Sequence, residues 1–214
     1  MKIKWFGHCT FLLQDTLGRR IITDPFDINF SQLIINYNPQ LVLFSNTYNN
    51  ITTILESNNI NYINSCIKYK TDFIDINSFS CFQDTVKGLK RGKNIVYKFT
   101  FDNINIVFLG YLGHMLNENE ISKIKNTDIL FIPIGGHLTI DGTTASNLVD
   151  KINPKIIIPM HFKSRGIQSY LNSTNDFIFN SKKSLITEVN TIDNNLLNSL
   201  THPTILLLNP YEFI

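Results

Sequence analysis

A chain of 214 residues with 43% apolar content is long enough to bury one sizeable core. A net charge of +2 with 17% charged residues gives no electrostatic case for a nucleic-acid or membrane surface, and no apolar run approaches the ~20 residues that span a bilayer. Cys9, Cys66 and Cys81 are odd in number and never spaced C-x-x-C, which suits a reducing compartment, and Met1 to Phe6 carries two lysines with no apolar segment behind them. The cytoplasm is the expected location.

Taken in order, Lys2 to Phe6, Thr10 to Gln14 and Arg20 to Thr23 predict three short strands, with Asp15 to Gly18 as the turn between the second and third. The chain opens as a β-meander. Thr23-Asp24-Pro25-Phe26 ends the third strand with a carboxylate held before a proline, which favours extended or turn geometry. Leu41 to Phe44 reads as a more buried strand, and Ile51 to Ser57 as a short helix. Thr71 to Phe82 alternates loosely, and Ile95 to Phe99 pairs with Asn105 to Leu109 through a turn at Asp102-Asn103. Further on, Asn117 to Ile124 is followed by a strand at Ile129 to Ile132, a helix from Thr143 to Lys151 and a strand at Ile156 to Pro159. Ser184 to Ile214 reads as two strands around a polar turn. A run of strands followed by alternating helix and strand predicts two sheets packed face to face with helices outside them, in one domain over residues 1–214.

Several apolar strands end on a polar or ionisable residue. His8 follows Ile3 to Gly7, Asp24 follows Ile21 to Thr23, and Asn46 follows Leu41 to Ser45. Tyr111 and His114 follow Ile106 to Gly110, and His161 follows Ile156 to Met160. Strands sharing a sheet edge would bring these ends to one pocket. Any one of them alone reads as a turn cap. The fourth strand is the most emphatic: Leu41-Val42-Leu43-Phe44 runs straight into Ser45, Asn46, Thr47, Tyr48, Asn49 and Asn50, with no histidine, carboxylate or cysteine among them.

These pieces resemble the metallo-β-lactamase fold hydrolases, in particular a compact branch described as Zn-dependent hydrolases. The matching segments are Trp5-Phe6-Gly7-His8-Cys9, Thr23-Asp24-Pro25-Phe26, Lys90-Arg91-Gly92-Lys93-Asn94, Gly110-Tyr111-Leu112-Gly113-His114, Ile132-Pro133-Ile134-Gly135-Gly136 with Thr139-Ile140-Asp141, and Ile158-Pro159-Met160-His161-Phe162. They run in family order over most of the chain. The resemblance implies an α/β fold, an αββα four-layer sandwich of two mixed sheets with a metal centre at the sheet edge.

The family motif H-x-H-x-D-H places side chains two apart on one side of an extended loop, so that two imidazoles reach one metal and the Asp-His pair a second. Against it this chain sets Asn46, Tyr48, Asn50 and Ile51. Gln83 stands where the resemblance puts the next metal histidine, with Asp84 beside it, and Tyr111 stands where it puts a bridging aspartate. His161 alone keeps a metal-ligand identity. A catalytic zinc needs three protein ligands and an open position. The expectation is therefore a non-catalytic protein without cofactor. Asn46, Tyr48, Asn50, Ile51, Gln83, Tyr111 and His161 would form a vestigial pocket lined also by His8, Asp24, Asp84, His114, His137 and Asp141. It would act by binding a small molecule or a protein, or by assembling with itself.

Two enzyme readings compete. In one, His8, His114, His137 and His161, with Asp24 or Asp84, form a relocated zinc or manganese site that hydrolyses an ester or phosphodiester. In the other, Cys9 or Cys81 is a nucleophile, although no base is placed beside either. The basic run Lys87, Lys90, Arg91 and Lys93 is the feature that would serve nucleic acid, but it lacks the interleaved aromatics that stack bases and reads first as a solvated loop.

Overall fold

The computed structural model describes residues 1–27, 30–46, 51–164 and 170–211. Strands β1 (Lys2–Trp5), β2 (Phe11–Gln14) and β3 (Arg20–Thr23) form the opening meander, followed by helix α1 (Phe30–Tyr37), β4 (Leu41–Leu43), α2 (Thr52–Ser57) and β5 (Tyr62–Ile63). Then come β6 (Lys68–Lys70), β7 (Ile74–Phe82), β8 (Lys93–Phe101), β9 (Ile104–Phe108), α3 (Glu118–Lys123), β10 (Ile129–Pro133), α4 (Gly142–Ile152) and β11 (Ile156–Met160). The last elements are α5 (Asn175–Ser181), β12 (Ser184–Val189), α6 (Asn194–Ser199) and β13 (Thr204–Leu208).

One sheet has the order β1-β2-β3-β4-β5 and the other β12-β13-β11-β10-β9-β8-β7-β6. Both are mixed. The meander β1-β2-β3 is antiparallel and β4 adds parallel to β3, while β8-β9 is antiparallel and β9, β10, β11 and β13 run parallel. This is the expected two-sheet α/β sandwich.

Side-chain alternation explains why its strands are apolar on both faces. Phe11 and Leu13, Ile21, and Leu41 and Leu43 enter the large core shared with the second sheet. Their neighbours Leu12, Ile22 and Val42 turn the other way and pack with Phe30, Leu33 and Ile34 of α1 and Leu55 of α2. On the far side, α4 buries Ala145, Leu148, Val149 and Ile152. Its start is capped by Asp141, which accepts a hydrogen bond from the Thr144 N–H at 2.8 Å.

Two expectations about the elements are corrected. The polar turn predicted inside Ser184 to Ile214 is helix α6, with Asp193 accepting from the Leu196 N–H at 3.0 Å, and the flanking strands β12 and β13 are parallel, which a tight turn could not connect. Strand β7 begins at Ile74 rather than Thr71, because Thr71 closes a turn by donating its N–H to the Ile74 carbonyl at 2.8 Å.

The C-terminal part also returns to the start of the chain. Ile192 pairs with Ile3 in an isolated antiparallel bridge, with N–H to carbonyl distances of 2.8 and 3.0 Å.

Candidate functional site

The carboxyl ends of β1, β3, β4, β9 and β11 come to one edge of the sandwich. Their chain reversals hold several non-glycine residues in the left-handed region, among them His8 (φ 46°), Asp24 (φ 37°) and His161 (φ 52°). Backbone strain of this kind persists where surrounding structure fixes it, and it gathers at functional sites. Two glycines allow the close approach. A Cβ on Gly110, itself at φ 57°, would lie 2.3 Å from the Ser45 side chain, and one on Gly135 would lie 2.0 Å from the His161 carbonyl oxygen.

A cavity of about 320 Å³ opens here, walled by Asp24, Phe26, Asn46, Gln83, Arg91 and Tyr111, with Lys90 at its edge. Asp24 is buried, and it accepts from the Ser45 N–H at 2.6 Å and from the Ser45 hydroxyl at 2.5 Å. Burial raises its carboxyl to about 7, while the Ser45 hydrogen bonds act in the opposite sense. The Tyr111 N–H donates to the Asn94 amide oxygen at 2.8 Å, and Asn94 in turn donates to the Leu109 carbonyl at 2.9 Å. Gln83 donates its amide to the Lys93 carbonyl at 2.8 Å. Burial holds the Tyr111 hydroxyl protonated well above its ordinary range.

Behind two residues of the cavity wall, the His8 and His161 rings lie 5.6 Å apart, with Tyr111 set edge-on to His161 at 5.1 Å and Phe26 edge-on to His8 at 4.4 Å. Burial first, and the neighbouring His8 second, push His161 down to about 3. Its Nδ1 is buried without a hydrogen-bond partner. Burial lowers His8 as well.

Other residues expected at the pocket have different work. His114 accepts from the Phe82 N–H at 3.2 Å through Nε2 and faces the Met115 carbonyl at 2.9 Å through Nδ1, so both ring nitrogens serve the backbone. His137 is exposed and packs edge-on to Tyr170, and Asp141 is the exposed cap of α4. Asp84 is buried in a turn and accepts four backbone N–H groups, those of Val86, Gly88, Lys90 and Arg91. Ile51 precedes α2 and belongs to the outer core. Tyr48 and Asn50 lie outside the described residues. The four-histidine cluster is thereby corrected: His8 and His161 meet, and His114 and His137 do not join them. The thiol reading is corrected too, because burial raises Cys9 well above its ordinary range and Cys81 to about 12, so neither offers a thiolate near neutrality. The lining residues not assigned to the site from sequence are Pro25, Phe26, Phe44, Lys90, Arg91 and Leu138. The fold of the 84–91 turn places Lys90 and Arg91 there, and an acid followed by turn-forming Gly88 and Gly92 was the signal for it.

A resident metal is what the fold implies, and the donor set tests it. Among the described residues no three His, Cys, Asp or Glu side chains converge as a metal-binding group. The orphaned Nδ1 of His161 is one ligand in search of a partner, but the described residues around it do not fit the three-ligand set of a catalytic zinc.

The comparisons with known proteins are consistent. Residues 2–161 match the family described as the β-lactamase superfamily domain. A UPF0173 protein of Pyrococcus abyssi is 27% identical over 180 residues, spanning 78% of this chain and 85% of its own length. A protein of Methanobrevibacter smithii named UPF0173 metal-dependent hydrolase is 24% identical over 199 residues, spanning 77% of this chain and 82% of its own. A crystal structure from Thermotoga maritima, described as a Zn-dependent hydrolase of the metallo-β-lactamase superfamily, matches with a TM-score of 0.75 at 26% identity over 97% of each chain. These relatives overturn the expectation of a catalytically inactive binding or assembly protein. That expectation supposed neutral side chains filling the vacated metal volume, whereas the cavity stays open with a titrating carboxyl in its wall. The chain belongs to the metallo-β-lactamase superfamily, matching its β-lactamase superfamily domain over residues 2–161.

Proposed function

We propose that this protein is a hydrolase that cleaves an ester or phosphodiester in the cavity at the sandwich edge, adding water to give an acid and an alcohol. The observation that carries the reading is Asp24: a buried carboxyl in an open pocket, raised to about 7, exchanges its proton where a general base or acid must. Ser45 orients it through two hydrogen bonds, and Tyr111 and Phe26 line the same cavity. The names of the relatives support hydrolysis.

The test is turnover of p-nitrophenyl acetate and bis(p-nitrophenyl) phosphate, alone and with zinc or manganese added. Turnover of at least one ester is expected, with kcat falling on the order of 100-fold in Asp24→Asn. No turnover of either ester under any of these conditions sinks the proposal.

A further inference from the structure

The segment from Asp84 to Lys93 carries four of the chain's basic side chains around one acid. A solvated loop would leave that acid among the bases as a surface ion pair. Instead the Asp84 carboxylate turns inward: Oδ1 accepts from Val86 and Gly88 at 2.9 and 2.8 Å, and Oδ2 accepts from Lys90 and Arg91 at 3.0 and 2.8 Å. Its negative charge is stabilised by four backbone N–H groups and not by a basic side chain, and the turn is fixed by it.

Two consequences follow for the side chains. The turn delivers Lys90 and Arg91 to the cavity wall. Among the described residues neither the Lys90 ammonium nor the Arg91 guanidinium has a hydrogen-bonded or acidic partner, since the chain's ion pairs are all made elsewhere. The walls opposite are neutral: Asn46, Gln83, Tyr111 and the aromatic Phe26. The carboxyl of Asp24 is already held by Ser45 and is half-ionised near neutrality, so it does not balance two cations. Two cationic side chains thus stand at the cavity wall with no carboxylate paired to either among the described residues, the nearby Asp84 carboxylate being directed to the backbone. A planar guanidinium with free N–H groups at the wall of a concave site is the arrangement that takes an oxyanion in bidentate fashion.

We propose that the cavity is specific for substrates bearing an anionic oxygen group beside the scissile bond, a phosphodiester being the simplest, with Arg91 and Lys90 holding that group. The assignment rests on the hydrolase reading above and deepens it. Arg91 is a specificity residue that contacts the anion, and Asp84 is a positioning residue that acts through the turn.

The test has a kinetic arm and a binding arm, both on the whole chain. In the first, KM is compared for bis(p-nitrophenyl) phosphate, p-nitrophenyl hemisuccinate and neutral p-nitrophenyl acetate, in the native protein and in Arg91→Ala and Arg91→Lys. The expected result is that Arg91→Ala lowers the preference for an anionic over the neutral ester by about tenfold, the scale of one charge-assisted hydrogen bond, with partial recovery in Arg91→Lys. Preference for the diester over the hemisuccinate identifies a phosphoryl substrate, and the reverse a carboxylate. In the second, calorimetry with inorganic phosphate is expected to show binding that weakens with added sodium chloride and is lost in Arg91→Ala. Unchanged ester preference together with Arg91-independent phosphate binding overturns the inference while leaving hydrolysis of the neutral ester standing. Arg91-dependent phosphate binding with no hydrolysis of any ester sinks the hydrolase reading instead and leaves the anion site in place.

Discussion

The backbone N–H of His161 donates to the carbonyl of His8 at 3.0 Å, stapling the end of β11 in one sheet to the end of β1 in the other. The two imidazoles are thereby brought near each other, with ring centroids 5.6 Å apart.

Acid and base sensitivity should oppose each other at this sheet edge. His161 titrates at about 3 in the folded chain against an ordinary value of 6.5, so the unfolded chain takes up a proton that the folded one refuses. Its contribution is complete above about pH 6.5 and is lost as pH falls toward 3. Asp24 titrates at about 7 against 3.8, so the folded chain keeps a proton that the unfolded one releases, and stability falls as pH rises from about 4 to 7. Each is on the order of 4 kcal/mol at full extent, so the slopes nearly cancel. Urea midpoints between pH 4.5 and 7.5 should be flat in the native protein, should fall on acidification in Asp24→Asn, and should fall with rising pH in His161→Gln. Parallel profiles for all three would contradict this account.

Asn94 in β8 is fully buried and ties β7 to the segment after β9, giving its amide to the Cys81 sulfur and the Leu109 carbonyl and accepting from the Tyr111 N–H. Asn94→Ala leaves both backbone groups unsatisfied, and a loss of about 2–4 kcal/mol is expected in chemical unfolding. A loss below about 0.5 kcal/mol would mean that water replaces the amide.

Asp84→Ala releases four N–H groups of one turn at once. Amide hydrogen exchange at Val86, Gly88, Lys90 and Arg91 should accelerate by at least about tenfold, while exchange in β8 stays as it was. Uniform acceleration through β8 would instead show that Asp84 supports the sheet.

The three thiols differ in access. Cys66 is exposed, whereas Cys9 and Cys81 are buried. A colorimetric thiol reagent at pH 8 should consume one equivalent in the native chain and three in denaturant. Three fast equivalents without denaturant would show that the sandwich opens readily.

Much of the architecture is legible in the amino-acid order because apolar runs such as Leu41-Val42-Leu43 occur only where a strand is covered on both faces. Helix α1 was legible in principle, since Phe30, Leu33, Ile34 and Tyr37 follow the helical spacing. Helix α6 was harder, because Asn194 to Ser199 is mostly side-chain amides and hydroxyls that are equally at home in a turn. At the site, Asp24, Asn46 and Tyr111 could be anticipated as strand-end residues that share a pocket, and Gln83 only through the family resemblance. His114 and His137 could not be separated from them by spacing alone, because tight reversals at Gly113 and Gly136 carry each ring to a backbone or solvent partner. Lys90 and Arg91 were hidden for a related reason: a basic loop and a basic pocket wall have the same composition, and only the direction of the Asp84 carboxylate distinguishes them.

The bridge between Ile3 and Ile192 joins residues separated by nearly the whole chain. The entropy of closing so large a loop has to be met before that pairing returns any favourable contact. Strands β1 to β3 can zip together as a local meander, but the edge of β1 gains this partner only from Ile192, far along the chain beyond β12. Assembly should consequently be slow and late-closing, and until it finishes the newly made β1 edge is open to other extended chains.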